Sequence, residues 1–206
     1  HLIEGYTVLL EASGDERVKS RLKFLLDITE NKIFDSENNK LLVFFDRELN
    51  VIGDIHSYGH DIEATWLIDR ACDVLGDKAY IDRWAAINLR ISNNIYDIAY
   101  ENHSLNNERD KTEIDKKRVW WVQAESVVGF VNAYQHGGDK KFLEAAADIW
   151  GWINNVQIDK REGSEWWAEV DYNGKPMPKF TMVNEWKCPY HNGRMCMEIM
   201  QRGIDA

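Results

Sequence analysis

The sequence predicts an all-α fold, a toroid built from helical hairpins. Only three of the 206 residues are proline, which suits long helices. Apolar residues recur at helical spacing through most of the chain, and the helical segments come in closely spaced pairs. Longer loops or hairpins follow alternate helices. This order differs from the strand–helix alternation of a βαβ sheet, and no short repeat indicates a solenoid.

Seven segments carry the helical pattern, in pairs with short breaks inside each pair. They are residues 1–13, 15–34, 60–76, 77–100, 119–138, 139–158 and 189–203. Residues typical of helix ends mark several of the boundaries. Gly76 is placed to end the third helix, Asp77 to cap the fourth, and Pro189 to begin the last.

Three segments between these helices are predicted to be non-helical. Residues 40–54 form two short β-like runs around a polar centre, which indicates a hairpin. Residues 165–180 alternate around Asn173 and Gly174, a strong turn signal. Residues 101–118 are polar and are interpreted as a loop.

Composition excludes several classes of partner. The formal net charge is −10 and the pI is about 5.1, whereas nucleic acids and anionic membranes need a basic face. No stretch approaches the roughly 20 apolar residues of a membrane span. Three cysteines do not make a disulfide framework, and we expect a cytoplasmic location. The chain opens in a helical pattern without methionine, so we expect its natural N-terminus to lie elsewhere.

Cofactor and metal motifs are not found in the sequence. It has no G-x-S-x-G, no Walker loop and no dinucleotide fingerprint. Cys188, His191 and Cys196 give only three ligands, short of the four usual for structural zinc. We therefore predict neither a metal nor a cofactor, and we expect Cys196 to be a small buried filler.

The stretch SYGHDIEATW is the first candidate for chemistry. His60 and Glu63 are three residues apart and therefore share a helix face. The carboxylate could orient the imidazole or hold a ligand hydroxyl. The alternative is an ordinary helix entrance, with Ser57 as the cap and Glu63 in solvent.

The stretch VWWVQAES is the second candidate. Trp121 and Glu125 are four residues apart on one helix face. An indole beside a carboxylate can hold a sugar, because the ring stacks on the apolar sugar face and the acid accepts hydroxyl protons. Equally, the indoles of Trp120 and Trp121 could both lie in the core, with Glu125 accepting an indole N–H.

The stretch NEWKCPYHNGRMCME is the third candidate. His191 could be a buried core histidine or an acid/base group in a sugar pocket. Most isolated histidines are not catalytic, which favours burial in the core. Trp186, Tyr190, Asn192 and Arg194 surround His191 in sequence, and this aromatic and polar setting supports the acid/base role.

The segments HLIEGYT, SYGHDIEATW, VWWVQAE and EWKCPYHNGRMCME resemble those of cellobiose 2-epimerases in the N-acylglucosamine 2-epimerase superfamily. The resemblance extends over essentially all 206 residues. It implies an (α/α)6 barrel of about twice this length, so residues 1–206 would be the C-terminal half of one barrel domain. The N-terminal half, including a pocket arginine, would then be the missing partner of this chain.

The resemblance also implies the roles of particular residues. His60 and His191 would be the acid/base pair, while the residues that bind the sugar would be His1, Glu63, Trp66, Trp121, Glu125 and Trp186. Inverting C2 of an aldose needs a proton removed beside the aldehyde and returned on the opposite face. Two histidines suit this exchange because their pKa lies near pH 7. Neither a metal nor a nicotinamide is required.

The implied substrate is the reducing-end glucose of cellobiose or a related β-1,4-linked disaccharide, which becomes mannose. The alternatives within the superfamily are an N-acylglucosamine 2-epimerase and an aldose–ketose isomerase. A glycoside hydrolase would need two flanking carboxylates, for which Glu63, Glu125, Glu165 and Glu169 are candidates. A sugar-binding module without catalysis is the non-enzymatic alternative.

Overall fold

The computed structural model describes residues 1–177 and 181–204. The helices of this part of the chain are α1 (Leu2–Ser13), α2 (Glu16–Ile28), α3 (Tyr58–Leu75), α4 (Lys78–Ala99), α5 (Trp120–Gly137), α6 (Lys140–Trp152) and α7 (Tyr190–Arg202). Helices α2 and α6 each continue into a π-helical turn, at Thr29–Ile33 and Ile153–Gln157. The predicted helical segments are thereby confirmed, with small differences at their ends.

The helix ends follow from local chemistry. Asp15, Asp77 and Asp139 each precede a helix and accept a hydrogen bond from the backbone N–H two residues later. Gly76 ends α3 in the left-handed conformation, with φ of 66°. Sequence-local signals therefore fix where the helical hairpins turn.

The helices form two layers. Consecutive helices pair as α1–α2, α3–α4 and α5–α6, and α3 also packs against α1 and α5, while α5 packs against α7. Helices α1, α3, α5 and α7 thus follow one another in one layer, which is partly backed by the others. The all-α prediction is confirmed, and the arrangement is about half of an (α/α)6 barrel. Trp84, Ile91, Phe130 and Ile149 have no exposed surface and lie in the core between the layers.

Short strands fill the connections. They are β1 (Phe34–Asp35), β2 (Lys40–Leu41), β3 (Ile55–Ser57), β4 (Tyr100–Glu101), β5 (Ser104–Leu105), β6 (Glu108–Asp110), β7 (Glu113–Asp115), β8 (Arg118–Val119) and β9 (Glu169–Val170). The pairs β1–β2, β4–β5 and β8–β9 and the sheet β3–β6–β7 are all antiparallel. The segment 101–118 is therefore not the plain loop that its polarity predicted.

The two predicted hairpins are present in different degrees. In residues 40–54, one isolated β-bridge joins Phe45 to Val51. Strand β2, at the start of this segment, pairs with the preceding strand β1. At the second turn Gly174 has φ of 80°, and Asp171 donates its backbone N–H to the carbonyl of Lys175. The last three residues of that predicted hairpin, 178–180, lie outside the described residues.

Among the described residues, no helix has both the length and the hydropathy needed to span a bilayer.

Candidate active site

The first turns of three neighbouring helices bring the main candidates together. His60 lies in the first turn of α3, Trp121 in that of α5 and His191 in that of α7. The ring centroid of Trp121 is 4.7 Å from that of His60 and 5.5 Å from that of His191. Both imidazoles therefore contact the same indole. His60 and His191 are 131 positions apart in sequence, and they contact the same indole because α3 and α7 both pack against α5.

Gly59 permits this close approach of α3 and α5. A methyl group on Gly59 would lie 2.6 Å from the Trp121 ring and 2.8 Å from the side chain of Val122. Contacts of that length do not occur between carbon atoms, so a larger residue would displace the indole that contacts His60. The glycine before His60 thus has a packing role that the sequence alone did not reveal.

Glu125 is the buried partner of His191. Its Oε1 lies 2.7 Å from Nδ1 of His191, and its Oε2 accepts the indole N–H of Trp66 at 3.0 Å. Glu125 and Trp66 have no exposed surface. The hydrogen bond from Trp66 therefore fixes the orientation of the Glu125 carboxylate. The role of Trp66 in shaping the sugar pocket remains a prediction.

Arg194 links Glu125 to Glu63. Its Nη2 donates to Glu125 Oε1 at 2.7 Å and to Glu63 Oε1, and Glu63 Oε1 is 3.9 Å from His191 Nδ1. Burial and the nearby Glu125 raise the pKa of Glu63 to about 6, although Arg194 and His191 act in the opposite direction. The pocket therefore holds two buried carboxylates against one guanidinium and one imidazole.

His60 has a different environment. Its Nδ1 is 2.7 Å from Oγ of Ser57, the residue before α3. The ring is accessible from the open cleft, yet the surrounding protein removes part of its hydration, and this together with nearby His191 lowers its pKa. Both effects favour the neutral imidazole, which is the form that can accept a proton.

A buried pair supports the start of α3. Nε2 of His56 lies 2.7 Å from Oδ2 of Asp61, and Oδ1 of Asp61 accepts the backbone N–H of Leu41. Burial raises the pKa of the Asp61 carboxyl, against the effect of His56. Asp61 thereby ties β2 and β3 to the helix turn that carries His60.

A cavity of about 320 Å³ opens beside His60. Its polar wall contains His1, His60, Asp61 and Glu63, and its apolar wall is formed by Ile33, Leu41, Leu42, Val43, Ala64 and Leu67. His1 is exposed, and its Nδ1 is 3.4 Å from Glu4. A mixed wall of this kind suits a ligand with one apolar face and several hydroxyl groups.

Two other predicted residues lie away from this cluster. Trp186 is 80% exposed, so its predicted part in the sugar site stays a prediction. Cys196 is exposed, and the expectation that it fills the core is wrong. Cys196 lies on the solvent side of α7, two residues beyond Arg194, whereas Asn192 and Met195 form the buried part of that helix.

Sequence reasoning missed Arg194 as a site residue, together with Glu4 and Tyr190. Nη1 of Arg194 donates to Oε1 of Glu4 at 2.6 Å and lies 2.5 Å from the Tyr190 hydroxyl. The available signal was spacing, because Tyr190, His191 and Arg194 are three and four residues apart on one helix.

One grouping of donor atoms among the described residues could suit a metal ion. Glu63, Glu125 and His191 place one potential ligand atom each within 4.8 Å of one another. The guanidinium of Arg194 already contacts both carboxylates and supplies the positive charge that they need. We therefore assign no metal site to them.

A half-toroid with histidines, carboxylates and an indole at one end of its helices places this chain among the (α/α)6-barrel proteins. A family model described as N-acylglucosamine 2-epimerase (GlcNAc 2-epimerase) matches residues 1–192. The chain belongs to this family.

Curated and structural relatives agree with this assignment. The chain is 60% identical over 205 residues to a cellobiose 2-epimerase of Ruminococcus albus, covering 100% of this chain and 53% of that protein. A crystal structure of a sugar epimerase from a ruminal bacterium superposes with a TM-score of 0.98 at 59% identity, covering 99% and 52% of the two chains. For cellobiose 2-epimerase from Bacillus thermoamylovorans B4167, the TM-score is 0.91 at 42% identity, with 97% and 51% covered. The chain spans about half the length of these relatives.

Proposed function

We propose that this chain is the C-terminal half of a barrel domain that inverts C2 of the reducing-end glucose in cellobiose and related β-1,4-linked disaccharides. The observation that carries the proposal is the contact of His60 and His191 with one indole, Trp121, beside the Glu63–Glu125 pair. The cellobiose 2-epimerases among the relatives support the choice of substrate.

The proposed reaction exchanges one proton at C2. Once the sugar ring is open, a neutral imidazole removes the C2 proton, and a planar enediolate forms. The other imidazole, which is protonated when the turnover begins, donates its proton to the opposite face of C2, which gives the epimer. General acid–base catalysis of this kind contributes about 10²- to 10⁴-fold to a rate.

The environments of the two histidines support the two roles. The lowered pKa of His60 favours a neutral ring near pH 7. The contact of His191 Nδ1 with Glu125 fixes the ring and leaves its Nε2 for proton exchange. The cavity residues His1 and Glu63 would hold sugar hydroxyls, and the Trp121 indole would lie against the sugar ring.

A glycoside hydrolase is less well supported. Glu125 is fully buried and already engaged by Trp66, His191 and Arg194. Glu165 is bound to Lys187 and Asn192 instead of facing the other carboxylates. Two carboxylates flanking a scissile bond, as hydrolysis requires, are therefore not what this cluster offers.

The test is incubation of the complete protein that carries this chain with cellobiose in deuterated water, followed by NMR. The proposal predicts a mannose end unit with deuterium at C2. A ketose product would support the isomerase alternative, and conversion of N-acetylglucosamine in place of cellobiose would support the N-acylglucosamine epimerase. Released glucose would indicate hydrolysis, and binding without conversion would indicate a sugar-binding module. Each of these four results would contradict the proposal.

A further inference from the structure

Arg194 is at the centre of the polar cluster but does not lie open to the cleft. Its side chain is 11% exposed and its guanidinium contacts acceptors on four helices. These acceptors are Glu4 on α1, Glu63 on α3, Glu125 on α5 and Tyr190 on its own helix. The rings of Trp66 and Tyr190 lie against it, with centroids 4.8 and 4.4 Å from its Cζ.

The cluster buries two carboxylates close together, and the positive charge of Arg194 can stabilise them in the ionised form. Glu63 and Glu125 are buried side by side, and two buried carboxylates tend to share one proton. Burial and Glu125 together raise the pKa of Glu63 to about 6 even with Arg194 present. A guanidinium stays charged at all relevant pH values, so it opposes this protonation permanently. Burial alone would lower the pKa of Arg194, but Glu125 and Glu63 outweigh this effect and raise it.

The ionised state of Glu125 matters for His191. An ionised carboxylate only accepts hydrogen bonds, so the neutral His191 ring must carry its proton on Nδ1 and leaves Nε2 unprotonated. A protonated Glu125 could instead donate to Nδ1, and the ring proton would then sit on Nε2. In that tautomer Nε2 could not accept a proton from a substrate.

We propose that Arg194 is a positioning residue that keeps Glu63 and Glu125 ionised together, so that Glu125 can hold His191 with Nε2 free. Arg194 acts through the two carboxylates and does not itself contact the sugar. Its role in catalysis rests on the epimerase activity proposed above, whereas its effect on the ionisation of Glu63 does not.

The titratable groups that face this cluster come from every packed helix. They are Glu4 from α1, His60 and Glu63 from α3, Glu125 from α5, and Tyr190 and His191 from α7. Glu4 and Arg194 have opposite charges. Arg194 contacts both carboxylates of the pair, and Glu4 contacts Arg194. Removal of the Arg194 charge should therefore raise the pH at which Glu63 loses its proton, and removal of the Glu4 charge should lower it. A purely structural role for Arg194 would not produce this pair of opposite shifts.

The experiment compares Arg194→Gln, Arg194→Lys and Glu4→Gln in the complete protein. For Arg194→Gln, the acidic limb of the pH profile of kcat/KM for cellobiose should move to higher pH by about one pH unit or more. We expect kcat to fall about 100-fold and KM to change only a few-fold, because the residue acts on the proton-transfer groups. Arg194→Lys keeps the charge and should restore part of kcat and of the pH profile.

Glu4→Gln is the variant of opposite sign. Its amide oxygen can still accept from Arg194 and Tyr190, and Glu4 is partly exposed, so the fold should be kept. The acidic limb should move to lower pH by a few tenths. If Arg194→Gln does not fold, Arg194→Lys and Glu4→Gln must still shift the limb in opposite directions. An unmoved profile in Glu4→Gln, or shifts of the same sign, would overturn the proposal.

A second readout does not depend on turnover. Infrared titration of protein labelled with ¹³C at the glutamate carboxyl shows the protonated carboxyl band, and Glu63→Gln identifies the band of Glu63. The midpoint for Glu63 should lie at higher pH in Arg194→Gln and at lower pH in Glu4→Gln. If cellobiose is not converted but these midpoints move as stated, the proposed function fails and the ionisation role of Arg194 stands. Unchanged midpoints would refute that role even in an active epimerase.

Discussion

Nδ1 of His191 lies 2.7 Å from Oε1 of Glu125, on the side of the ring away from Nε2. The other oxygen of that carboxylate accepts the indole N–H of Trp66 at 3.0 Å. The orientation of His191 therefore depends on a buried tryptophan that lies behind the pocket. This dependence can be measured separately from sugar binding.

Trp66→Phe should weaken both stability and activity, because it leaves Oε2 of Glu125 buried without its donor. The lost hydrogen bond should cost about 1–3 kcal/mol in the free energy of unfolding, and we expect kcat to fall about 10-fold. Trp84→Phe is the matched control, since Trp84 is equally buried but its indole N–H has no partner among the described residues. Urea unfolding and cellobiose kinetics on both variants provide the comparison. Equal losses in the two would show that the Trp66–Glu125 bond is unimportant.

Gly59→Ala should disturb the indole that both histidines contact. The added methyl group would be 2.6 Å from the Trp121 ring, and such overpacking costs about 1–3 kcal/mol. Gly151→Ala is the control, because Gly151 lies in α6 with no atom within 4 Å of the added carbon. Alanine there should leave kcat unchanged and add up to about 1 kcal/mol of stability. A fully active Gly59→Ala protein would argue against a tight Trp121–His60 contact.

Glu63 should give the protein a specific pH dependence of stability. Its pKa rises from an ordinary 4.5 to about 6 in the fold, so the folded state binds this proton more tightly than the unfolded state. The contribution of Glu63 to the free energy of unfolding is therefore greatest below pH 4.5. It declines as the pH rises through 6, by about 2 kcal/mol in total. Relative to the unchanged protein, Glu63→Gln should gain about this amount between pH 4.5 and 7. Denaturant titrations that give parallel pH profiles for the two proteins would contradict the assignment.

The helical hairpins could be predicted because their signals are local. Asp77 and Gly76 mark a helix start and a helix end through contacts within a few residues. The strands of segment 101–118 could not be predicted in the same way. Each is two or three residues long, and β6 pairs with β3, about 50 residues earlier in the chain. Pairing at that distance is fixed by tertiary structure, and polarity alone gave no sign of it.

The candidate site could be predicted only in part. The spacing of His60 and Glu63 on α3, and of Trp121 and Glu125 on α5, indicated shared helix faces. The structure places His60 and Glu63 in the cavity wall, with Trp121 against His60 and Glu125 against His191. The spacing of Arg194 from His191 could have indicated a shared helix face, but its bond to Glu4, 190 residues away in sequence, could not be predicted. The burial of Trp66 and the exposure of Trp186 likewise depend on which side of a layer each indole faces, and aromatic composition does not report this.

The central claim is that His60 and His191 act on opposite faces of C2, and single-histidine variants test it most directly. His60→Asn and His191→Asn are incubated in deuterated water with cellobiose and, separately, with its C2 epimer, and the loss of the C2 proton signal is followed by NMR. His103→Asn is the control, since His103 is exposed and paired with Asp148 away from the pocket.

Each histidine should remove the proton from only one of the two epimers. The account therefore predicts that both variants lose epimerisation, by about 10²-fold or more, while each still exchanges C2 of one epimer, and that the two variants retain opposite epimers. The control should exchange and convert both sugars normally. The account would be contradicted if one variant lost exchange with both epimers while the other kept both, because a single histidine would then perform both proton transfers.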